Sequence, residues 1–157
     1  MLPGDSALDG GGTQPMVNDD NHYMIHIDEV APKAVSEALG WKQMDIRFPL
    51  PVEIARSGGV ALFRAVFKPG SQHQAHYHPN ADEFYYVIRG RAGVGNGQEE
   101  HEVPAGTIDF VPKGKIHWLR NLDSESEVEV LGGYLGVGSL EEAGYEYVGN
   151  PTGEVKG

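Results

Sequence analysis

The chain has 157 residues, with 22 glycines, 10 prolines and no cysteine, and its 23 Asp and Glu against 12 Lys and Arg give a formal net charge of −11. The missing cysteine excludes disulfides, thiolate catalysis, iron–sulfur clusters and thiolate zinc sites, so any metal must rest on nitrogen and oxygen. The acidic balance argues against nucleic acid or an anionic membrane as partner, and no stretch approaches the ~20 apolar residues of a spanning helix.

Residues 1–22, rich in Gly, Asp and Asn, read as a flexible arm ahead of one domain over 23–157. The start MLPGDSALDGGG lacks the basic and apolar regions of a secretory signal, so a cytoplasmic protein is expected. YMIHIDEV reads as a short strand. Ala31, Ala34, Val35, Ala38 and Leu39 then recur at helical spacing, with Pro32 in the first turn and Gly40 as the stop, which predicts a short N-terminal helix. RFPLPVEIA carries two prolines and predicts an irregular crossing. From Gly59 onward the pattern predicts strands at 59–68, 73–78, 83–89, 91–95, 98–103, 107–111, 115–121 and 127–135, the spacing of an all-β sandwich or barrel. Turns are predicted at Pro69-Gly70, Asn96-Gly97, Pro104 to Gly106 and Lys113-Gly114. SLEEAGY predicts one helical turn capped by Ser139, followed by a polar tail.

Residues 70–90, GSQHQAHYHPNADEFYYVIRG, hold the first chemistry. Alternate side chains of a strand share a face, so His76 and His78 can bind one ion together. Glu83 opens the next strand across a short turn and brings a carboxylate to the same place. His117 lies on a later strand, after the Gly114 turn. Three imidazoles and one carboxylate suit iron, manganese, nickel, cobalt or zinc and leave one or two positions open.

At this point the sequence resembles the cupin superfamily, as a single-domain member with both motifs intact. The first motif is a Gly, five residues, His-x-His, three or four residues, Glu, six residues and Gly; Gly70, His76, His78, Glu83 and Gly90 match it. The second is a Gly, five residues, Pro-x-Gly, two residues, His, three residues and Asn; Gly106, Pro112, Gly114, His117 and Asn121 match it. The resemblance implies a double-stranded β-helix, a jelly-roll-like barrel, with one divalent metal ion held inside by His76, His78, Glu83 and His117. The glycines serve turns and Asn121 ties one.

Strand parity places Gln74, Tyr85, Val87 and Leu119 on the ligand face, so they are expected to line a mostly apolar pocket that would fit a hydroxyl-bearing aromatic substrate. The same parity puts His73 on the opposite face, in a surface role. Phe84, Tyr86, Ile88, Ile116 and Trp118 make that opposite face apolar, so either the segment 23–55 or a second subunit is expected to cover it, and a homodimer is expected. Cupin barrels host many activities. A dioxygenase acting on a small enol, phenol or keto-acid-like substrate is expected, with Glu83 and Tyr85 as catalytic residues. Its rivals are a metal-assisted lyase, isomerase or polyketide-type cyclase, and a non-catalytic binding barrel.

Overall fold

The computed structural model describes residues 16–17 and 23–151. The arm expected over 1–22 otherwise lies outside the described residues; within it, β1 (Met16–Val17) pairs antiparallel with β2 (Tyr23–Met24). The remaining strands are β3 (Trp41–Arg47), β4 (Val60–Tyr77), β5 (Glu83–Arg89), β6 (Arg91–Gly95), β7 (Glu100–Pro104), β8 (Ile108–Val111), β9 (His117–Asn121), β10 (Val128–Leu135) and β11 (Glu146–Gly149). Two short helices accompany them, α1 (Val52–Gly58) and α2 (Leu140–Ala143). The fold is all-β, a curled antiparallel sheet of the cupin type. No helix among the described residues is long and apolar enough to cross a membrane.

The strand order is β7-β6-β9-β4-β10-β5-β8, with β3 and β11 also paired to β4. β4 is therefore the strand common to both halves of the barrel. Its first half pairs with β10, Phe63 opposite Gly132 and Ala65 opposite Val130, and its second half pairs with β9, where His76 lies opposite His117. The alternation VALFRAVF explains the first half: Ala61, Phe63, Ala65 and Phe67 are buried in the core while Leu62, Arg64 and Val66 face away.

The turn predicted at Pro69-Gly70 is instead a bend inside one 18-residue strand. Pro69 has no N–H to give to a ladder, and Gly70 takes a φ of 77°, which a side chain disfavours. On the neighbouring strand the register slips between Lys42 and Met44, and Gln43 is driven to a φ of 52°. The chain thus passes from one half of the barrel to the other without reversing.

The helix predicted over 31–39 does not form. Ala31, Ala34, Ala38 and Leu39 are exposed, so no packed face repays helix nucleation; only 3₁₀ turns at Ile27–Glu29 and Glu37–Leu39 appear, and Gly40 does end the second. The short helix ahead of the barrel is α1, within the segment read as an irregular crossing. β3 and β11 were absent from the sequence reading. Ser139 caps α2 as expected, its Oγ accepting from the Glu142 N–H at 3.1 Å.

The apolar outer face divides. Trp118 is buried, its indole N–H donating to Glu100 at 2.9 Å. Tyr86, Ile88, Ile108, Phe110 and Leu131 remain open, with Ile108 70% and Phe110 55% exposed. Residues 27–29 cover this face only at its β3–β4 end, where Arg47 donates to the Asp28 carbonyl at 3.1 Å and Arg64, opposite Leu131, pairs with Asp28.

Candidate metal centre

His76 and His78 stand at and just beyond the end of β4, Glu83 opens β5 and His117 opens β9. All four are buried, and one ligand atom from each lies within 4.8 Å of the others. The connection 79–82 is fixed by backbone bonds: the Asn80 N–H donates to Ala143, the Gly114 N–H to the His78 carbonyl, and Asp82 accepts from the Lys113 N–H at 2.7 Å. These bonds return Glu83 to the histidines.

Each imidazole is held the same way. The Nδ1 atoms of His76, His78 and His117 sit 2.6, 2.6 and 2.9 Å from the carbonyl oxygens of Gln74, Gly144 and Lys115. A carbonyl only accepts, so each Nδ1 carries a hydrogen and each Nε2, the other ring nitrogen, turns inward. His76 Nε2 is buried without a hydrogen-bond partner. His117 Nε2 and His78 Nε2 approach Glu83 Oε2 at 2.8 and 3.2 Å. The His117 contact is met by an Nε2–H that donates to Glu83; once that hydrogen is released, three imidazole lone pairs and one carboxylate make a donor set that fits a divalent metal ion.

The charges agree. Burial alone would raise the Glu83 carboxyl, but the His117 charge and hydrogen bonds from His117 and His78 hold it well below the usual carboxylate range. Burial would lower His117, and Glu83 reverses that and raises it. His76 is pushed well below the ordinary imidazole value by burial, reinforced by His73, His117 and His78.

His73 is not on the surface. Between His73 and His76 on β4, three residue steps oppose two on β9, from Leu119 to His117. This extra residue, a bulge, inverts parity and brings His73 to the inner face. Its ring stacks on His76 at 3.7 Å and on Trp41 at 3.8 Å, and its Nε2 lies 3.2 Å from the Tyr145 hydroxyl. The bulge also removes Gln74 from the pocket: it is buried under Tyr147, whose hydroxyl donates to Oε1 at 2.5 Å. Val87 is fully buried but lies two residues further along β5 and does not line the cavity. Tyr85 and Leu119 do line it, with Phe63, Phe67, Val130 and Tyr134 among their neighbours. The free volume is about 20 Å³, enough for one or two water-sized groups.

Three features escaped the sequence reading. The Trp41–His73–Tyr145 stack has no local signal, because it depends on the bulge. The Gly144 carbonyl is a backbone group, invisible to motif reasoning. Asp109 was hidden because the alternation of IDFV suggests Ile108 and Phe110 inward, whereas both are exposed and Asp109 lies opposite the buried Tyr85.

The family model described as Cupin domain matches residues 63–133. Germin-like protein subfamily 3 member 2 of Arabidopsis thaliana is 32% identical over 80 residues, covering 48% of this chain and 35% of that protein. Polyketide synthase CurC of Streptomyces cyaneus is 36% identical over 76 residues, 48% of each chain. The chain thus spans less than half the length of either relative. Among solved structures, the polyketide cyclase RemF from Streptomyces resistomycificus superposes with a TM-score of 0.65 at 19% identity, over 82% of this chain and 86% of that one.

Proposed function

The chain is a member of the cupin superfamily, and from that premise we propose that it is an enzyme that depends on one divalent metal ion, acting on a small oxygen-bearing substrate. The observation that carries this reading is the set of three inward Nε2 atoms and the Glu83 carboxylate, buried within 4.8 Å of one another beside an apolar cavity. His76, His78, Glu83 and His117 would hold the ion. When bound, it would supply Lewis-acid polarisation of substrate oxygens, with redox chemistry added for iron, manganese, nickel or cobalt but not for zinc.

The chain's own residues supply the rest. Phe63, Phe67, Leu119 and Val130 exclude water from the reacting end of the substrate. The cavity accepts only that oxygen-bearing end, leaving a larger body outside. Tyr85 places a hydroxyl at the cavity where it can orient a substrate oxygen, and Glu83, held as a carboxylate, supplies the one negative charge among the ligands.

A dioxygenase acting on an enol, phenol or keto-acid-like compound is the first form of this proposal. The second, a metal-assisted cyclase, lyase or isomerase that consumes no dioxygen, is favoured by the resemblance to CurC and to the cyclase RemF. The test is elemental analysis of the purified protein and its Glu83→Ala and His78→Ala variants, followed by oxygen uptake with candidate enols and phenols. Stoichiometric metal that vanishes in both variants supports the site; oxygen uptake supports the first form, and turnover without it supports the second. Absence of metal after reconstitution would reduce the chain to a non-catalytic binding barrel.

A further inference from the structure

We propose that Tyr85, oriented by Asp109, accepts a hydrogen bond from the substrate, so that the site selects ligands with a hydroxyl beside their metal-binding oxygen: enediols, α-hydroxy acids or catechols over the corresponding ethers. This rests on the metal-dependent reading above and adds what that reading lacks, a substrate class.

Tyr85 is 3% exposed, lines the cavity with Glu83 and His117, and no group comes within full hydrogen-bonding distance of its buried hydroxyl. Buried hydroxyls are rarely left so, and one on a residue that lines a cavity can be satisfied by a ligand there. A phenol can donate or accept, and its neighbours decide which. Asp109 lies directly across the ladder from Tyr85, on the inner face and half-buried. Its charge acts on the phenol more strongly than that of Glu83, after burial itself. Glu83 is already engaged by His117 and His78, so Asp109 is the carboxylate free to face Tyr85.

A carboxylate only accepts. The phenolic hydrogen is therefore drawn toward Asp109, and the oxygen lone pairs are what the cavity receives. A ligand hydroxyl satisfies them; an ether or carbonyl oxygen placed there meets lone pairs with lone pairs. The rest of the lining is apolar apart from the histidines, Glu83 and Tyr134, so this one contact can govern the choice.

The test uses the full chain loaded with cobalt(II), whose visible spectrum reports ligation, titrated with glycolate and with methoxyacetate, which lacks the donor. The measured quantity is the ratio of the two affinities. Tyr85→Phe is expected to keep full cobalt and to lower the preference for glycolate about five- to tenfold, chiefly through glycolate. Asp109→Asn is expected to lower it too, by strengthening methoxyacetate binding, because the amide can donate to the Tyr85 oxygen and free its hydrogen for the cavity. A purely structural role for either residue would weaken both probes alike. An unchanged ratio in the variants, or a loaded wild type whose spectrum neither probe alters, overturns the proposal. Failure to load cobalt at all overturns the metal reading beneath it and is seen before any probe is added. Should Tyr85→Phe fold poorly, the partly exposed Asp109→Asn carries the comparison.

Discussion

His78 and Gly144 are 66 residues apart in sequence, and the Nδ1–H of one donates to the carbonyl of the other over 2.6 Å. The end of α2 thus orients a ligand-bearing imidazole contributed by the end of β4. Gly144 holds a φ of 78°, and a Cβ there would lie 2.7 Å from the Pro79 ring. Gly144→Ala is therefore expected to shift this carbonyl, to cost roughly 1–3 kcal/mol of stability, and to lower metal affinity about 10- to 100-fold. Chelator competition checks the affinity; wild-type values would show that the carbonyl does not hold His78 in place.

The four ligand side chains and His73 are expected to behave differently. His76→Ala and His117→Ala should lose the metal and remain folded, because the core beneath them is independent of it. His73→Ala should keep stoichiometric metal, since its Nε2 meets Tyr145 and not the ligand cluster, yet lose stability by about 2–4 kcal/mol as the stack between Trp41 and His76 opens. Metal analysis beside thermal melting separates the two classes. Loss of metal in His73→Ala would make it a ligand.

Without metal, stability is expected to fall as pH drops from about 7 to about 5. Burial keeps His73 and His76 neutral, with values well below 6.5, so on acidification the unfolded chain binds protons there that the folded chain refuses. Their contribution is present above the unfolded value and is lost below it. His117 acts in the opposite sense: raised by Glu83, it adds stability that is complete below 6.5 and lost as pH rises through its folded value. Two lowered groups against one raised group leave a net loss in acid. Calorimetry of the chelator-treated protein at both pH values decides it, and a higher melting temperature in acid would refute it.

Leu131, Tyr86 and Ile108 lie side by side across three strands, and all three are exposed. We propose a second copy of the chain as their cover. Arg89 pairs with Glu127 and Glu129 along this face, which offsets part of the acidic charge that two chains of net charge −11 would bring together there. Light scattering is expected to give twice the chain mass, and Ile108→Asp with Phe110→Asp to give a monomer with its metal intact. A monomeric wild type at ~50 µM, well above the Kd of a specific interface of standard size, would exclude the pairing.

The ligand set was legible because its spacing lies within single strands and across two short turns, where a period of two is reliable. His73 and Gln74 were misplaced by one cause, the extra residue between His73 and His76, and no residue type in SQHQAHYH announces it. β3 was hidden by the slip at Gln43, which breaks the alternation of WKQMDIR. The 31–39 segment looked helical from a few alanines, yet it lies exposed, and tertiary packing decides such cases. The continuity of β4 was obscured because Pro69-Gly70 has the same composition whether it reverses a chain or bends it.

The 18 residues of β4 also set an order of events at synthesis. Of its partners among the described residues only β3 precedes this strand; the others, β9, β10 and β11, extend to Gly149. Much of β4 has therefore left the ribosome long before the segments that pair with it exist. Such sequence-distant pairing makes for slow folding and for a nascent strand open to wrong partners. His76 and His78 meet Glu83 early, while His117 and the Gly144 carbonyl arrive last, so the fourth ligand and the clamp on His78 are in place only when the barrel closes.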